Sequence, residues 1–180
     1  LYDCLYLYYQ IVFQQIPFLN MYKEYLPCHI LAPYVDRYWE FKGQTEQGMQ
    51  IKLSTDGCTD FMFILETTVN HGIIMQPYHS YFIGPTDIGS ALITSAGTIN
   101  TFGVRFRPCG LSRFMKTSLS ELTNIRLSVN DLDTIFSDSF AERLFEEQGI
   151  QGKINLIERY LKEPLYKSSH TMDAQIAYAV

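Results

Sequence analysis

The spacing of hydrophobic positions changes part-way along this chain. Between Tyr34 and Phe106 they alternate with polar residues or run in short apolar blocks between turn residues, and beyond Leu111 they recur three and four apart. Alternation places successive side chains on opposite faces of a strand, whereas the longer period gathers them on one face of a helix. The first region predicts strands at 34–42, 49–53, 60–65, 73–75, 81–85, 91–95 and 99–106. In the first strand, Val35, Arg37, Trp39 and Phe41 share one face, and Tyr34, Asp36, Tyr38 and Glu40 share the other. Residues 43–48 read as a polar loop and Thr55-Asp56-Gly57 as a turn. Asn70-His71-Gly72 predicts a hairpin, and Gly97 predicts another that folds 91–95 back on 99–106. Seven or eight short strands at this spacing suit a sandwich or barrel.

The two regimes meet at residues 101–111. Phe102, Val104 and Phe106 fall on one face of a strand, and Gly103, Arg105 and Arg107 on the other. Pro108 ends the ladder because it has no N–H to donate, and Gly110 frees the backbone for a turn. Leu111, Phe114 and Met115 then predict the start of a helix, with another helical turn at Ser120-Glu121-Leu122.

Asn130 or Asp131 can cap a longer helix with Leu132, Ile135, Phe136, Phe140, Leu144 and Phe145 on its apolar side. Gly149 supplies its left-handed end. A second helix is predicted over 152–163, with Ile154, Ile157, Tyr160 and Leu161 inward and Pro164 as its stop. The pair makes a helical hairpin over 131–163, and 164–171 reads as a linker. A third helix begins near Asp173, with Met172, Ile176, Ala179 and Val180 apolar.

Residues 1–21 stand apart. Leu5, Tyr6, Leu7, Tyr8, Tyr9, Ile11, Val12 and Phe13 are apolar, but Gln10, Gln14, Gln15 and Pro17 break the run before it could span a bilayer. It also lacks the basic start of a signal peptide. It is either a non-native or loosely attached extension, read through ahead of a start at Met21, or an amphipathic helix packed on the domain.

A hydrophobic content of 47% supports a sizeable core, and a net charge of -5 argues against this segment gripping nucleic acid itself. Cys4, Cys28, Cys58 and Cys109 share no metal-binding spacing and read as reduced, buried thiols of a cytoplasmic protein. His29, His71, His79 and His170 show neither of the spacings that place two imidazoles on one ion, so no metal or other cofactor is expected. No nucleophile elbow, phosphate loop or dinucleotide fingerprint is present, and no enzyme activity is expected.

Asp60 is the most pointed polar residue, because an acid heading an apolar strand is costly to bury alone. Arg105 or Arg107 could partner it. One reading makes Trp39, Asp60, Tyr81, Arg105 and Arg107 the lining of a small-ligand pocket. The other makes the charges a structural ion pair or a solvated face, and Trp39 plain core.

Taken in order, Tyr34-Val35-Asp36-Arg37-Tyr38-Trp39, Asp56-Gly57-Cys58-Thr59-Asp60, Gly84-Pro85 and Gly103-Val104-Arg105-Phe106-Arg107-Pro108-Cys109-Gly110 resemble the N-terminal domain of AraC-family transcription regulators. The resemblance covers roughly 22–180, and Cys109 stands where that family usually has the first of two glycines. It implies an α+β fold. A cupin-like or jelly-roll β-barrel for sensing would occupy 22–130, with a short helix after its last strand, and a dimerisation or interdomain hairpin would follow at 131–163. A linker at 164–171 would lead to the first helix of a helix-turn-helix domain at 172–180. Leu132, Ile135, Phe136, Phe140 and Leu144 become the candidate dimer contacts. The implied partners are DNA, through a C-terminal domain not in this chain, a small-molecule effector and a second copy, with no membrane. The residues alone also admit a free-standing small-molecule-binding barrel or a cupin-type metalloenzyme.

Overall fold

A computed structural model describes residues 22–45, 50–53, 56–66, 68–70, 73–86, 90–93, 97–132 and 136–167. Its spine is one long antiparallel pair, β2 (Val35–Thr45) against β9 (Gly97–Phe106). Around it β1 (Tyr22–Tyr25), β4 (Thr59–Ile64), β7 (Ser80–Ile83) and β10 (Arg126–Ser128) complete a six-stranded antiparallel sheet in the order β1-β2-β9-β4-β7-β10. Two further antiparallel pairs are β3 (Gln50–Leu53) with β8 (Ser90–Ile93), and β5 (Thr68–Asn70) with β6 (Ile73–Met75). The architecture is mixed α+β.

The pairing corrects the sequence reading at two points. The hairpin expected across Gly97 does not form, because β2 and β4 flank β9 on its two edges and β8 pairs with β3 instead. The strands β1 and β10 were not expected; both are edge strands, too short to show a full alternation.

A β-bulge alters the faces of β2. Val35 is opposite Phe106 and Arg37 is opposite Arg105, so Asp36 is the extra residue. One inserted residue inverts every side chain on one side of it. Val35 therefore joins Tyr34 and Tyr38 in the main core, while Trp39 and Phe41 belong to a second cluster on the opposite face, where the alternation alone had grouped all three together.

After β9 the chain turns through the short 3-10 segments 110–113 and 119–122, the first standing where a helix from Leu111 was expected. Leu111 and Phe114 are buried there as their spacing suggested. Residues 129–131 make one more 3-10 turn, so neither Asn130 nor Asp131 caps the following helix. That helix, α1 (Asp138–Glu146), is capped by Ser137, whose hydroxyl accepts the Phe140 N–H. Helix α2 (Gly149–Lys167) begins at a left-handed Gly149 and runs through Pro164. The proline was expected to end it, but it sits in the last turn, where the missing N–H removes one hydrogen bond without stopping the coil. The expected linker at 164–171 is helical as far as Lys167. The buried ammonium of Lys153 closes the other helix end, donating to the Leu144 carbonyl at 3.0 Å and the Glu147 carbonyl at 2.6 Å.

One hydrophobic core spans sheet and helices. Phe61, Phe63, Phe82, Phe102 and Phe106 of the strands meet Phe136, Phe140 and Leu144, and Ile154, Ile157 and Leu161 of α2 join them. The Phe61 and Phe136 rings meet edge-on at 4.9 Å. Phe136, Phe140 and Leu144, expected as dimer contacts, are wholly buried within the chain's own core, and Leu132 is half-buried. A dimer built on this hairpin would have to use its outer face. Ile135, His71, the extension 1–21, the remaining linker residues 168–171 and the expected helix at 172–180 lie outside the described residues. Among those described, no helix is long and apolar enough to cross a membrane.

Candidate functional site

The face of the sheet turned away from the helices carries the candidate residues. Along β9, Thr101, Gly103 and Arg105 point to this face, because Phe102, Val104 and Phe106 fill the other. Register then places Trp39 beside Gly103 and Met62 beyond it, with Tyr81 opposite Met62. A second row runs Arg37, Arg105, Asp60 and Ile83. An apolar cluster of Trp39, Phe41, Met62, Ile64, Met75 and Ile99 therefore borders a charged row.

Gly103 allows the Trp39 indole to lie flat across the strand. A Cβ at this position would sit 2.2 Å from the ring. The indole N–H is then aimed along the sheet and donates to Asp60 Oδ1 at 2.9 Å, and the Tyr22 ring stacks over Trp39 at 6.4 Å. Arg105 Nη1 donates to the other Asp60 oxygen at 3.0 Å, and its Nη2 reaches Asp56. The Arg105 and Asp60 side chains are each only 13% exposed, so water screens the pair weakly. Burial pushes the Asp60 carboxyl above its ordinary value, while Arg105 and the Trp39 N–H pull it back. Burial likewise pushes the neighbouring Cys58 thiol up to about 12, with Arg105 acting in the opposite sense.

The bulge brings Asp36 into this network. It accepts from Arg37 Nε at 2.6 Å and lies 3.6 Å from Arg107 Nη2, while Arg37 also bonds Glu24. Arg107 does not reach Asp60. Its Nε donates to the Ala32 carbonyl at 2.8 Å and its backbone N–H to the Tyr34 carbonyl at 2.9 Å, tying residues 29–34 to the end of β9. Cys109 follows at φ 58, ψ -5, the left-handed conformation a glycine would take there most easily. Cys109 is exposed, and Cys28 and Cys58 are only half-buried, which corrects the expectation of buried thiols. Gly110 packs against the Tyr34 carbonyl, where a Cβ would come within 2.2 Å.

Of the five candidate ligand residues, Trp39, Asp60 and Arg105 form one bonded unit, Tyr81 borders the apolar cluster without joining it, and Arg107 braces a loop. Asp56, Asp36 and the Glu24–Arg37 pair were missed as members. The sequence marks Asp56 only as a turn residue, and it does accept the Cys58 N–H at 3.1 Å, but its second oxygen serves Arg105. The arrangement buries the Trp39 indole under the Tyr22 ring, beside a row of charges that already satisfy one another. Among the described residues, no three His, Cys, Asp or Glu side chains gather to hold a metal ion.

A second polar centre lies on the helical side. Cys28 N–H donates to Glu158 Oε1 at 2.8 Å, and Lys162 Nζ to Glu158 Oε2 at 2.9 Å. Burial alone would raise the Glu158 carboxyl, but the Lys162 and Cys28 hydrogen bonds outweigh it and hold the group below its usual range.

Residues 23–128 match the model of a family described as a domain of unknown function, DUF6597. No curated protein matches the chain.

Proposed function

Because this chain belongs to the DUF6597 family, we propose that it is the N-terminal regulatory part, for sensing and dimerisation, of an AraC-like sequence-specific transcription regulator. The observation that carries this reading is the family match. The family is known as an N-terminal domain associated with AraC-type regulators, and the matched span holds the whole Trp39–Asp60–Arg105 unit and the turn at 108–110. The order of the motifs from Tyr34 to Gly110 supports the same reading, as does a six-stranded antiparallel sheet of the kind a cupin-like barrel would use. The acidic balance of -5 suits a sensor half whose DNA contacts are made by a separate, basic half.

On this reading an effector bound by the sheet changes DNA affinity by favouring one arrangement of the assembled protein over another. The sheet side supplies the effector site and the helical hairpin relays its state. The test is to express the complete reading frame that encodes this chain and to footprint it on the DNA flanking its gene. Protection of a discrete site, by a product carrying two helix-turn-helix units, is the expected result. A reading frame without such units, or a product that binds a metabolite and no DNA, would overturn the proposal in favour of a free-standing ligand-binding domain.

A further inference from the structure

The turn between β6 and β7 holds a residue type that its backbone does not favour. Tyr78 has φ 66 and follows Pro77, a position that type II turns usually give to glycine. A bulky side chain is uncommon at such a φ and carries a strain that glycine would not. The residue is also 61% exposed, so burial of its own apolar surface does little to offset that strain. What the ring does meet is Phe145 of α1, edge-on, with centroids 4.9 Å apart and planes at 88°. The same turn is fastened to the end of β4. The Tyr78 N–H donates to the Ile64 carbonyl at 3.0 Å, and the Ile64 N–H donates to the His79 carbonyl at 3.0 Å. Ile64, and Met75 at the end of β6, belong to the apolar cluster around Trp39, whereas Phe145 packs against the main core. Residues 75–79 therefore pass from one face of the sheet to the other. Pro77 fixes its own φ and His79 Nδ1 lies 3.1 Å from the Pro77 carbonyl, so the turn has little freedom to absorb a displacement.

We propose that this turn is a mechanical link between the two faces of the sheet, with Tyr78 as the positioning residue that couples the apolar cluster around Trp39 to α1 through Phe145. A shift of Ile64 or Met75 is carried by the two backbone hydrogen bonds and the short turn to the Tyr78 ring, and from there to Phe145. The coupling is reciprocal, because a link that transmits free energy one way transmits it the other. Loss of the Phe145 ring leaves the strained Tyr78 backbone without the contact that opposes its relaxation. As a relay between an effector site and the hairpin, the link rests on the function proposed for them; as a coupling between the two faces, it stands on this geometry alone.

The test is amide hydrogen exchange, read by mass spectrometry of peptides spanning 59–64 and 73–83, on the full chain and on its Tyr78→Gly, Phe145→Ala and doubly substituted forms, well below their melting temperatures. Phe145→Ala removes a side chain on the helical side, so a contact of purely local importance would loosen α1 alone. The expected result is exchange faster by roughly threefold or more in both sheet peptides, together with stronger acrylamide quenching of Trp39 fluorescence. In the Tyr78→Gly background, Phe145→Ala should add nothing to either readout, since the link is already cut. Should Phe145→Ala fail to fold, Phe145→Leu, which keeps apolar bulk without the ring, takes its place with the same expectation. Faster exchange confined to α1, or equal increments with and without Tyr78, would overturn the link. Neither readout involves DNA or an effector, so that failure would be distinct from a failure of the footprinting test.

Discussion

At Gly103 a methyl group would lie 2.2 Å from the indole of Trp39, so Gly103→Ala must displace the ring or bend β9. Overpacking of this kind costs about 1–3 kcal/mol. Trp39 is the only tryptophan in the chain, so urea unfolding followed by its fluorescence should show the loss together with an altered folded-state emission. Cys109 makes the opposite case. Its φ of 58 strains a residue with a Cβ, and the side chain is exposed. Cys109→Gly should raise stability by roughly 0.5–1 kcal/mol, the relief of strain exceeding the entropy a glycine adds to the unfolded chain. Chemical denaturation of the two proteins side by side checks it. At this scale the sequence was informative wherever one face of a strand is buried. Phe102, Val104 and Phe106 could be separated from Gly103 and Arg105 on alternation alone, and all three join the main core while Gly103 lies under Trp39 on the opposite face. Asp36 could not be placed, because a bulge leaves no mark in the residue types around it.

The helices hold together through contacts that local pattern describes only in part. The inward stripe of α2 was legible, with Ile154, Ile157 and Leu161 buried as their spacing requires. The start of α1 was not. Asn130, Asp131 and Ser137 share the same capping chemistry, and the chain uses 129–131 for a 3-10 turn before Ser137 takes the cap. Pro164 predicts a stop because interior prolines are costly, yet α2 continues through it. Pro164→Ala should restore one backbone hydrogen bond and raise stability by about 1–2 kcal/mol, as read from the thermal melt. Glu158 fixes α2 to the loop at Cys28 and has a depressed pKa, so its contribution is complete above the ordinary value of 4.5 and is lost as pH falls through the lower folded value. Glu158→Gln should therefore cost about 1–2 kcal/mol at neutral pH, and the gap from the unaltered protein should close as pH is lowered below 4.5. Denaturation curves across that range test the sign, and a gap that widens in acid would refute the linkage.

For the molecule as a whole, the spine of β2 and β9 joins residues some sixty positions apart, and the charged row crosses it from Glu24 to Asp60. Such pairings lie beyond any local window. The sequence could therefore list the strands without showing that β8 pairs with β3, or that Arg105 meets both Asp56 and Asp60 while Arg107 does not reach Asp60. The site was legible as a set of residue types and not as a geometry. Once assembled, the row shows its charges already paired, which makes it a structural brace across the sheet. The most direct measurement of that claim is the thermal unfolding of Arg105→Ala. Removing the guanidinium leaves Asp60 sheltered without its counter-charge, and the melting temperature should fall by roughly 6–12 °C, corresponding to about 3 kcal/mol. A melting temperature within about one degree of the unaltered protein would contradict it and return Arg105 to the ligand site.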